Sequence, residues 1–215
     1  MTIEMFCPRW YYRGSVPEDN QQEIKQLFEE FLSVDKNFIN PDDLNGELLT
    51  SYGLPTNVSA PWTEWLELIK PCLSEMVEQL KPKMDIEIVP QEAWCNRYDT
   101  GHYQEYHCHS VQHCNLAAVY FFKLEEDQCP YFKFYNNQHA QYKMSGLADT
   151  FEIPTDATIT PRVSEGDLIV FPAHYPHLVS PNKNGHERIT FSANFDVVPA
   201  KRVSHGRTGK DMDLL

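Results

Sequence analysis

The sequence predicts a mainly β protein with helices at its N-terminal end, and its strands suit a double-stranded β-helix, or jelly roll. Two patterns carry this. From Asp85 onward, short segments alternate apolar and polar residues with a period of two between turn residues, as half-buried strands do. Before Asp85, apolar residues recur at spacings of three and four, as on amphipathic helices.

The first helix is expected over Pro17 to about Asp35, where Ile24, Leu27, Phe28, Phe31 and Leu32 share a face and Ser15 is a candidate cap. A loop rich in Asn, Asp, Gly and Pro follows from about Asn37 to Ser59. The second helix, about Pro61 to Leu80, aligns Trp62, Trp65, Ile69, Leu73 and Met76 in one stripe, with Pro71 expected to kink it. Both apolar faces are expected to pack on a sheet. Candidate strands are Asp85–Pro90, Glu92–Tyr98, Glu105–His109, Leu116–Leu124, Tyr131–Tyr135, Thr158–Pro161, Leu168–Pro172, His177–Ser180 and Arg188–Val197. Between them, Asn136 to Pro154 is polar and irregular and reads as a loop or lid that selects the substrate.

A chain of 215 residues has room for one domain with a core of its own. Within it, residues 1–84 are expected to form a helical extension packed on a barrel of residues 85–198, with 199–215 a tail. Eighteen Lys and Arg against 31 Asp and Glu leave a formal charge of -13, which argues against nucleic acid and anionic membranes as partners. The basic cluster Lys201, Arg202, Arg207 and Lys210 reads as a solvated tail. Six cysteines without a CxxC pair, and no secretory signal before them, predict reduced thiols and a cytoplasmic protein. No apolar stretch approaches the roughly 18 residues of a membrane span. The aromatic content is compatible with a homodimer.

Chemistry concentrates in two segments. In a strand, His107 and His109 would project from one face and could share a metal ion. Downstream, Gly166 to Pro172 leads to His177, which would complete a triad, and then to Arg188 and Thr190. These last two also share strand parity, and a guanidinium beside a hydroxyl suits a small dicarboxylate. The set suggests a mononuclear iron site with a co-substrate arm.

Arg97-Tyr98-Asp99-Thr100-Gly101, five residues, then His107-Cys108-His109 resembles the segment Arg-Tyr-x-x-Gly-x5-His-x-Asp of the Fe(II)/2-oxoglutarate-dependent oxygenases. The closest likeness is to their prolyl-4-hydroxylase-like branch and to the 2OG-Fe(II) oxygenases predicted in bacteria and their phages. Gly166-Asp167-Leu168, Phe171-Pro172, His177 and Arg188-x-Thr190 resemble the later part of that pattern, so the likeness spans roughly residues 85–198. It implies an enzyme of a bacterium or phage-infected cell that uses Fe(II), 2-oxoglutarate and O2. Succinate and CO2 would be released and a substrate hydroxylated, either a peptide or protein residue or a small molecule. It also implies that Arg188, Thr190 and Tyr98 hold the far carboxylate of 2-oxoglutarate.

The departure is His109, where the resembling family has a carboxylate. Three arrangements stay open: a three-histidine site, a two-histidine site with His109 a spectator, or recruitment of Glu105. An imidazole there raises the charge of the site by one and favours ferrous iron. Its bulk disfavours a halide in that position. His107, Cys108, His109, His113 and Cys114 also contain zinc-type donors, though at unsuitable spacing. His113 and His174 are candidates to orient the ligands. Gly101-x5-His107-x-His109 and Gly166-x5-Pro172 equally resemble the half-motifs of cupins. Hence a cupin-type three-histidine metal protein without 2-oxoglutarate is the alternative, and a metal-free binding module on the same scaffold a third reading.

Overall fold

The fold is organised around one strand whose residues from Arg188 to Phe195 are all buried, so it must be covered on both faces. In the computed structural model, which describes residues 9–41, 46–54, 60–125, 131–150 and 156–200, this strand is the last of ten. The elements run β1 (Tyr12–Ser15), α1 (Glu18–Leu32), β2 (Leu49–Thr50), α2 (Trp62–Leu80), β3 (Ile86–Tyr98), β4 (Gln104–His107) and β5 (Leu116–Lys123). They continue with β6 (Phe132–Tyr135), α3 (His139–Met144), α4 (Leu147–Thr150), β7 (Thr158–Ile159), β8 (Asp167–Pro172), β9 (His177–Val179) and β10 (Arg188–Pro199). A six-stranded antiparallel sheet has the order β1-β8-β5-β10-β3-β2, and a smaller one has the order β4-β9-β6-β7.

Alternation along β10 divides the molecule. Ile189, Phe191, Ala193 and Phe195 join one apolar cluster with the helices, through Ile24, Phe28 and Phe31 of α1 and Trp65, Ile69 and Met76 of α2. The Phe28 and Phe191 rings lie 4.3 Å apart between centroids, and Trp65 meets Phe191 edge-on at 5.9 Å. The other parity carries Arg188, Thr190, Ser192 and Asn194, polar residues that are nonetheless buried. A second apolar cluster, including Tyr98, Phe121, Phe132, Phe134, Phe171 and Val179, joins residues of both sheets. The apolar residues thus face the helices and the polar ones line the site.

Both predicted helices form, with differences at their ends. Ser15 does not cap α1: it closes β1 opposite Asp167, while Pro17 starts the helix and Glu18 and Asp19 complement its dipole. Through exposed Pro71, α2 runs on as one helix. Asn20 of α1 donates to the Leu68 carbonyl at 2.7 Å, next to the Glu67 carbonyl that Pro71 leaves without its helical N–H.

Asp85–Pro90 and Glu92–Tyr98 are one strand, β3, because its pairing with β10 shifts register between Asn194 and Phe195 and leaves Gln91 as a bulge. β1 and β2 were not expected, being too short to show alternation. β1 exists because it adds to the edge of β8. The segment read as an irregular lid holds α3 and α4, while its residues 151–154 lie outside the described ones. No residue of α3 is buried, so no apolar stripe announced it. Gly166 adopts φ +87°, and a Cβ there would collide with the Gln21 amide of α1, whose Nε2 donates to Val16 O at 2.6 Å. Lys201, Arg202, Arg207 and Lys210, and with them most of the tail, lie outside the described residues, as do Cys7 and Cys129.

Candidate metal and co-substrate site

β4 and β9 pair antiparallel with His107 directly opposite His177, which brings together two histidines 70 residues apart in sequence. Their ring centroids are 4.2 Å apart. His109 does not arrive by strand alternation, as the sequence suggested. β4 ends at His107, and the His109 N–H instead donates to Ala173 O at 2.8 Å, which pins the chain so that the third ring joins the other two. His109 stands 5.4 Å from His107 and 5.1 Å from His177 between centroids. One ring nitrogen of each lies within 4.8 Å of the others, and among the described residues no other group of His, Cys, Asp or Glu converges in this way.

Each ring is oriented through Nδ1. His107 meets Glu105 O at 2.8 Å, His177 meets Tyr175 O at 2.9 Å, and His109 meets Asn194 Oδ1 at 2.6 Å. A carbonyl oxygen only accepts, so these contacts place the proton on Nδ1 and leave the Nε2 lone pair as the donor. Burial disfavours the charged form of all three. It lowers the His107 pKa, brings His109 down to about 4 against the Asn194 contact, and pushes His177 well below its ordinary value, with the other two rings adding repulsion. Neutral imidazoles at neutral pH are the state in which a metal is bound.

Beside the triad, Arg188 is 1 % and Thr190 2 % exposed. The Arg188 guanidinium lies 5.3 Å from the Tyr98 ring and 5.4 Å from that of Phe121, held between two aromatic faces. Burial raises the Tyr98 pKa, and its neutral hydroxyl donates to Gln104 Oε1 at 2.9 Å. Tyr98, Gln104, Arg188 and Thr190 line one recess with His107, His109 and His177. This recess shares Trp94, Asn96 and Gln104 with a cleft of about 380 Å³ that is also lined by Tyr52, Glu105 and Val111.

The remaining candidates disperse. Glu105 lines the cleft, but its carboxylate is not part of the converging group. Cys108 is exposed beside Ser110 at 3.3 Å, His113 pairs with Asp196 at 3.1 Å, and Cys114 turns to Leu116 O, so the zinc-type cluster is not assembled. Neither is His113 or His174 the orienting partner; His174 rests edge-on against Tyr175 at 4.8 Å. Arg97 is structural: it pairs with Glu187 at 2.7 Å and covers Phe38 at 4.9 Å. Asn194 and Gln104 were missed by sequence reading. The parity of Asn194 with Arg188 and Thr190 on β10 was the available signal.

Residues 92–194 match the family described as "Putative 2OG-Fe(II) oxygenase". This match covers a little under half of the chain, the part that holds the three histidines, Arg188 and Thr190. Solved structures share its fold. A prolyl-4-hydroxylase from Pseudomonas putida is 14% identical, with a TM-score of 0.56 over 87% of this chain and 92% of that one. A prolyl hydroxylase from Trichoplax adhaerens, in complex with a hypoxia inducible factor oxygen degradation domain peptide fragment, is 11% identical (TM-score 0.57; 86% and 83% covered). HygX from Streptomyces hygroscopicus, with nickel, 2-oxoglutarate and hygromycin B bound, is 10% identical (TM-score 0.54; 87% and 83% covered). No curated protein sequence matches. Among the described residues no helix is long and apolar enough to cross a membrane.

The three depressed histidine pKa values lower the acid stability of the metal-free protein. Below about pH 6.5 the unfolded chain binds protons that the folded triad refuses, so stability falls as pH drops. For His109 alone the loss is complete near its folded value of about 4. It amounts to roughly 3 kcal/mol, at about 1.4 kcal/mol per unit. The expected result is a melting temperature of the metal-free protein that declines steadily between pH 6.5 and 4, with a shallower decline for His109→Asn. Equal slopes for the two proteins would show that His109 is not held neutral by the fold.

Proposed function

We propose that this chain is an Fe(II)- and 2-oxoglutarate-dependent hydroxylase in which His107, His109 and His177 hold the metal and Arg188, Thr190 and Tyr98 hold the co-substrate. The observation that carries the reading is the convergence of three neutral imidazoles beside a buried guanidinium. Three nitrogen donors leave coordination positions for a bidentate 2-oxo acid and for O2. When bound, Fe(II) with 2-oxoglutarate and O2 supplies oxidative decarboxylation to succinate and CO2 and oxidation of a substrate C–H bond.

The protein's part is placement. Arg188 would pair with the distal carboxylate in a dry environment, where a charge-assisted bidentate contact is strong, and the Thr190 hydroxyl would add a second donor. The Tyr98 hydroxyl is already engaged by Gln104. The recess as it stands is small, about 20 Å³, so a five-carbon dicarboxylate enters only as Gln104 and its neighbours give way. Entry would free the Tyr98 hydroxyl for the incoming carboxylate.

The substrate proposed is a peptide or protein residue presented through the cleft of about 380 Å³ lined by Leu48, Tyr52, Trp94 and Val111. A segment with an apolar side chain suits such walls. We read residues 85–198 as the catalytic core, residues 1–84 as its covering extension, and the cytoplasm as its location.

The test is turnover with Fe(II), 2-oxoglutarate and O2. Succinate should form in step with 2-oxoglutarate loss, slowly without the primary substrate and faster with it. Oxygen uptake on an added substrate without any succinate would select the cupin-type alternative instead.

A further inference from the structure

We infer that Asn194 is the positioning residue that makes His109 a metal ligand in place of the family's carboxylate, an inference that rests on the three-histidine reading above. The three rings are not held alike. His107 and His177 each donate to the backbone carbonyl two residues earlier, a contact that the local chain supplies by itself. His109 has no such partner. It stands beyond the end of β4, and its Nδ1 is taken at 2.6 Å by a side chain 85 residues away.

Asn194 is built for this. It lies on the central strand, paired on one side with Glu92 of β3 and on the other with Ala117 of β5, and is 6 % exposed. Its Nδ2 donates to Glu92 Oε2 at 3.2 Å, and because a carboxylate only accepts, that contact settles which end of the amide faces His109. The amide oxygen therefore accepts the Nδ1 proton, and the Nε2 lone pair is directed at the other two rings. Trp94 packs against His109 at 5.8 Å and limits its tilt. A carboxylate ligand would not need an acceptor behind it; an imidazole does, both to fix its tautomer and to strengthen it as a donor.

The test uses the full-length protein loaded with Co(II), whose paramagnetism shifts the exchangeable ring N–H protons of bound histidines clear of other signals. Wild type should show three such resonances. In Asn194→Leu the one assigned to His109, by its absence in His109→Asp, should be lost to exchange with water while the other two persist. Co(II) affinity should fall by about 10- to 100-fold, the usual cost of removing a partner behind a metal-bound histidine. Asn194→Asp, which keeps an acceptor, should retain all three resonances. In a His109→Asp background the Asn194→Leu change should cost less than about threefold, because its route to the metal is gone. If three resonances and the affinity, within about twofold, survive in Asn194→Leu, the inference is wrong while the triad stands. If wild type shows only the two signals of His107 and His177, the triad reading itself fails.

Discussion

Replacing His177 by alanine is expected to abolish stable iron binding. Its ring is 3 % exposed, stacked on Phe132 at 5.2 Å and opposed by His107 across the β4–β9 pair, so no neighbouring side chain can take its place. Loss of a partner behind a ligand already costs about 10- to 100-fold in affinity. Loss of one ligand in three should exceed about 100-fold, and the same holds for His107→Ala. Metal analysis after gel filtration should find both variants empty. The contrasting variant is His109→Asp, which keeps a donor and restores the pattern of the family; it should retain iron and change turnover rather than remove it. Full iron occupancy in His177→Ala would mean that the site is misplaced.

Arg188→Ala should separate the co-substrate from the metal. Deleting one partner of a buried, hydrogen-bonded charge pair costs on the order of 2 to 5 kcal/mol. That lower bound corresponds to at least about a 30-fold weaker 2-oxoglutarate affinity. Iron binding should be little changed, since the Nδ1 atoms of the three rings are held by Glu105 O, Asn194 Oδ1 and Tyr175 O. Arg188→Met fills the slot between Tyr98 and Phe121 and guards against a packing defect. Arg188→Lys keeps the charge but lacks the planar fork and should recover only part of the affinity. Equilibrium dialysis under nitrogen reads all three; unaltered 2-oxoglutarate affinity in Arg188→Ala and Arg188→Met would sink the assigned role.

Much of this site is legible in the sequence because strand parity survives folding. Arg188 and Thr190 lie on one face of β10 as their spacing requires, and His107 comes to face His177 because β4 adds to the edge of β9. His109 shows the limit of the same rule. It reaches the triad by a turn pinned to Ala173, a contact between distant segments that no local period encodes. Asn194 was hidden for a related reason: its role depends on which side chain a folded sheet brings to it, 85 residues away. The short strands β1 and β2 exist only as additions to longer ones, and α3 buries nothing, so neither leaves a periodic trace.

The most direct measurement is anaerobic calorimetry of 2-oxoglutarate added to the protein with and without Fe(II). The account predicts one equivalent bound when iron is present and binding weakened by orders of magnitude when it is absent, because the 2-oxo acid end is held only through the metal. Equal binding to both forms, or none to the iron-loaded protein, would contradict it.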